Sequence, residues 1–571
     1  MTFLCRWMLG LALIVSGGMA WEAQAGRLPE TLTVSNKQLL VGGQPFVVRG
    51  VNYHPVPTTG DGNWADDWTM DPNVVLSDLS KMKEMGVNTL RVYVKYERLF
   101  VNWNETNDPA TDLTRVDDKV VARYRTVMAE ADRLGIYVIL NYSLPENRDY
   151  RDGKGMGLYG DERTRQKIRF RNVIKVFMDR TEFPMVLMWA FGNENNFDNK
   201  RGPMTPQELF AFYQEAISEA KGVDASHPYT VVLGDNDASP PDIDNINLLN
   251  LAPAVDVWSL NTYNTEQGFR DLIQNYPANK PLLFSEFGYD ACDSRVGIGC
   301  DHITAEGQGF WQAQQNQADF YRNRWENTMA PNLSAANPTR PLLGGVAFEW
   351  NDEWWKDEGS PRHTHDDGGF PNRNLGPDYF LNEEWFGLST ALPGGVSTGR
   401  YYRSAFYELK RMWATETSPT TPRVLNPSFD QDGWTQQPSG WSTWSPTGHE
   451  DADFAETYGG RQDNNYHGTH YKTQPYHVFT YQRLTGLTNG TYTLRAWVRS
   501  TGGQTRAEMH AKEFDGTTTI IRLSVPATSV WTQVSIPNIQ VTAGQLTFGF
   551  LSEGAPAYSA LYFDDVEVFR Q

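Results

Sequence analysis

Eight short, almost continuously apolar segments alternate with longer amphipathic ones between Val47 and Trp350, and this alternation constrains the fold more than any other feature of the chain. The apolar segments are 47–52, 87–93, 136–141, 186–190, 230–233, 255–260, 281–285 and 345–350. Helical periodicity fills the intervals at 75–85, 117–134, 163–179, 206–220 and 309–328, and returns at 401–415. Strands without a polar face are buried on both sides, which requires parallel strands covered by helices. Eight such units predict a closed barrel, with its site at the C-terminal ends of the strands. An open doubly wound sheet is disfavoured because no Gly-x-Gly-x-x-Gly follows the first strand. A hairpin is expected ahead of the barrel, with a strand from Leu32 to Val41 turning at Gly42-Gly43.

Ser, Thr and Pro cluster between Thr415 and Pro422, and beyond them no helical period appears. Short alternating segments such as 492–498, 531–534 and 546–550 are broken by Gly, Asn and Pro, the pattern of an antiparallel sandwich. The expected fold class is therefore α/β, a (β/α)8 TIM barrel over 26–415, followed by a linker at 416–421 and an all-β jelly-roll sandwich at 422–571. Residues 1–25 read as a cleavable export signal: Arg6 precedes a short apolar run, and Ala23-Gln24-Ala25 has the form of a cleavage site. The run is shorter than the roughly 20 residues that span a bilayer. A secreted or periplasmic protein with no integral membrane segment is expected. In that compartment Cys292 and Cys300, which remain after Cys5 leaves with the signal, are expected to form a disulfide.

A formal charge of −19 argues against nucleic acid and anionic membrane surfaces as partners, because both would repel the chain. A neutral polymer is not repelled. Aromatic residues make up 13% of the chain, with 19 Trp, and sugar faces stack on such rings. The fourth strand ends in Asn193-Glu194 and the seventh in Ser285-Glu286-Phe287-Gly288, so two carboxylates are expected at the barrel mouth. Two carboxyl groups suffice to cleave a glycosidic bond, one protonating the leaving oxygen and the other attacking or activating water.

Those two motifs resemble the acid/base and nucleophile signatures of the clan of retaining β-glycosidases built on (β/α)8 barrels, clan A of the glycoside hydrolases. Arg49-Gly50-Val51-Asn52-Tyr53, Gly86-Val87-Asn88-Thr89-Leu90-Arg91 and Ser259-Leu260-Asn261-Thr262-Tyr263 resemble its first, second and sixth strands, and the stretches at strands one, six and seven look most like the family 2 barrel. The resemblance implies Glu194 as acid/base and Glu286 as nucleophile. It also implies Asn52, Arg91, Asn193, Asn261 and Tyr263 around the sugar, and Trp350 as its platform. Trp354, with Trp64, Trp68, Trp189 and Trp355, is a candidate for flanking subsites, whereas Trp258, inside a strand, reads as packing. Glu194 is expected to have a raised pKa from partial burial and the nearby negative charge of Glu286. Retaining chemistry calls for no cofactor, and His363-Thr364-His365-Asp366-Asp367 reads as a solvated loop.

In the C-terminal region, 426–430 with Gly433-Trp434, 486–492 and 562–566 resemble the jelly-roll carbohydrate-binding modules of families 4 and 9. Trp441, Trp444, Tyr466, Tyr471 and Tyr476 are its candidate sugar-binding rings, and Asp430 and Asp565 its candidate ligands for a structural calcium. The implied function is a retaining β-glycosidase acting on a β-linked polysaccharide or oligosaccharide, with β-glucan favoured. A transglycosylase using the same residues, a mannanase or exo-β-glycosidase, and a non-catalytic polysaccharide-binding protein are the alternatives.

Overall fold

The computed structural model describes residues 30–54, 72–101, 115–145, 158, 161–235, 244–277, 279–292, 308–353, 369–371, 380–389, 402–414, 424–429, 434–457 and 466–570. The described residues open with three short antiparallel strands, β1 (Leu32–Ser35), β2 (Gln38–Val41) and β3 (Gln44–Pro45). The expected single strand from Leu32 to Val41 is broken at Asn36 and Lys37, both at positive φ, so the chain turns twice where one turn was anticipated. Eight parallel strands follow and close into a barrel: β4 (Val48–Asn52), β5 (Thr89–Tyr93), β6 (Tyr137–Tyr142), β7 (Val186–Phe191), β8 (Tyr229–Gly234), β9 (Val257–Asn261), β10 (Leu282–Phe287) and β11 (Leu342–Ala347). β6 through β11 are buried at every position, which is why their sequences carry no polar alternation.

The helices are α1 (Pro72–Met85), α2 (Tyr96–Leu99), α3 (Asp118–Leu134), α4 (Glu162–Phe177), α5 (Asp198–Arg201), α6 (Pro206–Lys221), α7 (Glu266–Gln274), α8 (Gln308–Arg324) and α9 (Ser404–Trp413). Local signals set their ends. Asp117 accepts from the amides of Lys119 and Val120 ahead of α3, which stops at the left-handed Gly135. Thr205 and Glu208 form a reciprocal capping box ahead of α6. α7 went unrecognised in the sequence because it is only nine residues long.

One strand lies elsewhere than expected. β11 runs Leu342–Ala347, three residues earlier than the apolar run suggested, with Gly344 and Gly345 both inside the strand. A Cβ at Gly344 would stand 2.0 Å from the Val48 carbonyl oxygen, and one at Gly345 would meet Met329 and Phe287. The barrel closes at this point only because these side chains are absent.

The C-terminal region holds two five-stranded antiparallel sheets. Strands β12 (Gly369–Pro371) and β13 (Phe380–Asn382) pair before it. The first sheet orders β14 (Ser442–Trp444), β17 (Tyr476–Thr485), β22 (Gln545–Ala555), β19 (Arg506–Lys512) and β20 (Ile520–Ser524). The second orders β15 (Asp453–Glu456), β16 (His467–Tyr471), β23 (Ala560–Arg570), β18 (Gly490–Ser500) and β21 (Thr528–Val541). A core including Phe429, Trp441, Phe548, Phe550 and Phe563 packs as a cluster separate from that of the barrel. Across to the barrel, Tyr407 on α9 donates to Asp565 Oδ1 at 3.0 Å and Lys410 pairs with Glu567. Among the described residues no helix is long and apolar enough to cross a membrane.

Candidate active site

Arg91, on β5 and fully buried, organises the barrel mouth. Its Nη1 donates to Glu286 Oε1 at 2.6 Å and to Asn52 Oδ1 at 3.0 Å. Its Nη2 donates to Asn193 Oδ1 at 2.7 Å and, with Nε, to Asn141 Oδ1 at 2.9 and 3.0 Å. Burial opposes the charge of this guanidinium, but Tyr93 and Glu286 outweigh it, so its pKa lies above the ordinary arginine value. Tyr263, two residues past β9, donates to Glu286 Oε2 at 2.7 Å. Both oxygens of Glu286 are thus held in fixed directions. Burial, Glu286, Glu194 and Glu349 all raise the Tyr263 pKa, which keeps that phenol protonated as a donor.

Glu194 follows β7 through a tight turn. Gly192 has φ 79° and Glu194 itself φ 57°, a conformation that non-glycine residues rarely adopt and that surrounding contacts must hold. Those contacts are present: the Asn193 amide donates to Asn195 Oδ1, the Glu194 amide to the Val232 carbonyl, and Asn196 exchanges two hydrogen bonds with Gly234. A Cβ on Gly234 would come within 3.0 Å of the Glu194 Cγ, so the absence of a side chain there leaves room for the carboxyl. Asn261 Nδ2 donates to both Glu194 Oε1 and Asn193 Oδ1 at 3.1 Å. Ser285 in turn fixes Asn261 from β10 at 2.7 Å.

The structure therefore brings together Asn52, Arg91, Asn193, Glu194, Asn261, Tyr263 and Glu286. It also brings in Lys200, Asn141 and His54, which no sequence motif marks. Lys200, on α5, places Nζ 2.8 Å from Glu194 Oε2. Burial pushes the Glu194 carboxyl up, but Lys200, Asn261 and Arg91 bring it below the usual value. The expected upward shift is thus reversed, because a lysine six residues on, outside any apolar period, faces it. Asn141 was hidden inside an ordinary strand. His54, just past β4, has Nδ1 at 2.9 Å from Glu349 and 3.1 Å from Glu353, all three buried. Burial lowers the His54 pKa, yet the two carboxylates overcome this and raise it to about 10. Among the described residues this is the one trio whose metal-ligating atoms lie within 4.8 Å of one another. An imidazolium shared by two carboxylates accounts for its geometry.

Trp350 is not a platform at the mouth. It lies three residues beyond β11, fully buried against Tyr402 and Phe406. The residue nearer the site is Phe348, whose ring meets Tyr263 edge-on at 5.9 Å. Trp189 is also core, its Nε1 bonded to Asp224 at 2.8 Å, and Trp258 packs on Phe210. Trp64, Trp68, Trp354, Trp355 and 363–367 lie outside the described residues. Cys292 is disulfide-bonded, and its expected partner Cys300 lies outside them too.

In the sandwich, Trp441 and Tyr476 are core residues and not exposed rings: Trp441 stacks on Phe429, and the Tyr476 hydroxyl donates to two backbone carbonyls. Tyr466 and Tyr471 are half-buried. Trp444 is 49% exposed and stands beside Phe479, its cross-strand partner on β17. Phe479 and Tyr481 stack at 5.3 Å, with Lys512 Nζ 4.3 Å above the Phe479 ring. Asp565 accepts from Tyr407, and Asp430 lies outside the described residues.

A closed parallel barrel with two carboxylates at the ends of its fourth and seventh strands defines a glycoside-hydrolase-type enzyme. The family model that matches the chain, over residues 40–328, is the cellulase family, glycosyl hydrolase family 5. The chain belongs to that family, and the likeness of strands one, six and seven to family 2 does not decide its membership. Among curated proteins it is similar to a 1,3-beta-glucanosyltransferase of Saccharomyces cerevisiae, 24% identical over 45% of this chain and 52% of that one. A 1,3-beta-glucanosyltransferase of Aspergillus fumigatus is 26% identical over 44% and 49% of the two chains. A beta-glucuronidase of Chlorocebus aethiops is 25% identical over 59% and 48%. The chain spans about half the length of the curated relatives it matches.

Proposed function

We propose that the protein is a retaining β-glucan-active enzyme in which Glu286 is the nucleophile and Glu194 the acid/base. The carrying observation is the clamp on Glu286, whose two oxygens accept from Arg91 and Tyr263. Such a clamp fixes an attacking oxygen toward the anomeric carbon and returns a stable carboxylate when the glycosyl-enzyme breaks down. Asn193 accepts from Arg91 and Asn261, and Asn261 donates to Glu194, so both asparagines would bind the sugar hydroxyls beside the breaking bond. The likeness to 1,3-beta-glucanosyltransferases favours a β-1,3-linked glucan, with a sugar hydroxyl or water as acceptor.

The protein is proposed to be exported, and the sandwich to bind polysaccharide. The exposed ring of Trp444 supports a carbohydrate-binding role, with Phe479 opposite it on β17 buried beneath Lys512. The test is incubation with laminari-oligosaccharides, following product length by chromatography and the first-formed anomer by NMR. Retention of the β-anomer is expected, with longer products at high acceptor concentration if transfer competes with hydrolysis. Release of the α-anomer, or failure to cleave any β-glucan, contradicts the reading.

A further inference from the structure

Lys200 occupies a place that the chemistry makes consequential. Its side chain is 8% exposed and its Nζ lies 2.8 Å from Glu194 Oε2, while Oε1 of the same carboxyl accepts from Asn261. α5 reaches this position because the turn after β7 is tight, and the chain re-enters a helix only four residues past Glu194. The other charged or titratable groups around Glu194 are Arg91 from β5, Tyr263 beyond β9 and Glu286 on β10, with Asp235 following β8. Arg91 is committed to Glu286 and Tyr263 donates to the same carboxylate. Asp235 accepts from Thr262 and Asn264. Among the described residues, Lys200 is thus the cation in direct contact with Glu194.

We propose that Lys200 is a positioning residue that holds Glu194 ionised in the free enzyme and thereby sets the pH range over which Glu194 carries the proton for the leaving group. This rests on the acid/base reading of Glu194. In the first step a Glu286 oxygen bonds to the anomeric carbon, the glycosidic C–O bond breaks, and the Glu194 proton passes to the departing oxygen. Glu194 is left as an anion facing Lys200. In the second step water or a sugar hydroxyl attacks the anomeric carbon and gives its proton to Glu194, and the bond to Glu286 breaks with its electrons returning to the carboxylate. Lys200 stabilises the anion formed in the first step but lowers the fraction of enzyme that enters that step protonated. The alkaline limb of kcat/KM should consequently fall at lower pH than burial of Glu194 beside Glu286 would give.

The test compares pH profiles of kcat/KM for the wild type, Lys200→Met, Lys200→Gln and Lys200→Arg on a laminari-oligosaccharide and on 2,4-dinitrophenyl β-glucoside, whose leaving group needs no proton. Both neutral variants should move the alkaline limb upward by about one pH unit on the oligosaccharide, with little change on the dinitrophenyl substrate. Lys200→Arg should retain the wild-type limb. Folded variants with an unmoved limb overturn the proposal, whether the rate falls or KM rises. Glu194→Gln separates the two claims. If Glu194→Gln cleaves the oligosaccharide normally, the acid/base reading fails; if it loses that activity but keeps the dinitrophenyl substrate while the Lys200 limb stays fixed, only the role of Lys200 fails.

Discussion

The barrel mouth and the exposed sheet face of the sandwich are both rich in aromatic and charged residues, yet they use them in opposite ways. At the mouth the rings are packed and the charges meet one another: Arg91 with Glu286, Lys200 with Glu194, and His54 with Glu349 and Glu353. On the sandwich face Trp444 is open to solvent, and Lys512 lies over the stacked rings of Phe479 and Tyr481. Bond breaking needs charges fixed in a dry setting, where each interaction is strong and reorganises little. The polymer adsorption proposed for the sandwich would need an accessible ring such as Trp444, and would gain affinity by raising local concentration without touching the chemistry.

The comparison is tested most severely at His54. Replacing it with Gln leaves two buried carboxylates facing each other and should cost about 3–5 kcal/mol, read as a lowered midpoint in denaturant unfolding. Its pH dependence has a definite direction. The folded pKa of about 10 lies above the unfolded value, so the contribution of His54 is fully present below the ordinary histidine range and is lost as pH rises toward 10. Wild-type stability should decline across that window, and His54→Gln should flatten the decline. Equal stability of the two proteins at neutral pH would mean that the paired charges at the mouth contribute nothing net.

A smaller effect is expected from Tyr263→Phe, which removes one hydrogen bond to Glu286 without opening a cavity. A bond to a charged group contributes about 1.5–3 kcal/mol, so kcat/KM on soluble oligosaccharide should fall about tenfold to a hundredfold. A change below twofold would show that the clamp is not felt in the transition state. Smallest is Trp444→Ala, which should weaken retention on insoluble β-glucan about fivefold, the effect of one ring contributing about 1 kcal/mol. Its kcat/KM on the soluble substrate should not change. Loss of soluble activity instead would erase the division of labour between the two regions.

The sequence exposed the barrel and its two carboxylates because strand ends concentrate function into contiguous motifs such as Asn193-Glu194 and Ser285-Glu286. It did not expose Lys200 or Asn141. One belongs to a helix of four residues, too short for any period, and the other sits in a strand that reads as ordinary core. Trp350 lies beyond the strand for a physical reason: the apolar run predicts the eighth strand at 345–350, but Gly344 and Gly345 serve the close approach of neighbouring strands, and β11 begins three residues earlier, at Leu342. In the sandwich, alternation predicted strands but not which side of the sheet each ring would face, so Trp441 and Tyr476 were counted among the exposed rings although both are core.

The central claim, that Glu286 attacks the anomeric carbon, is tested most directly by trapping the covalent intermediate. Incubation with a 2-deoxy-2-fluoro-β-glucosyl donor bearing an activated leaving group slows breakdown of the glycosyl-enzyme, and proteolysis with mass spectrometry then locates the sugar. The account predicts one label, on the peptide spanning Leu282–Tyr289 and on Glu286 within it. A label on Glu194 or any other residue would contradict it.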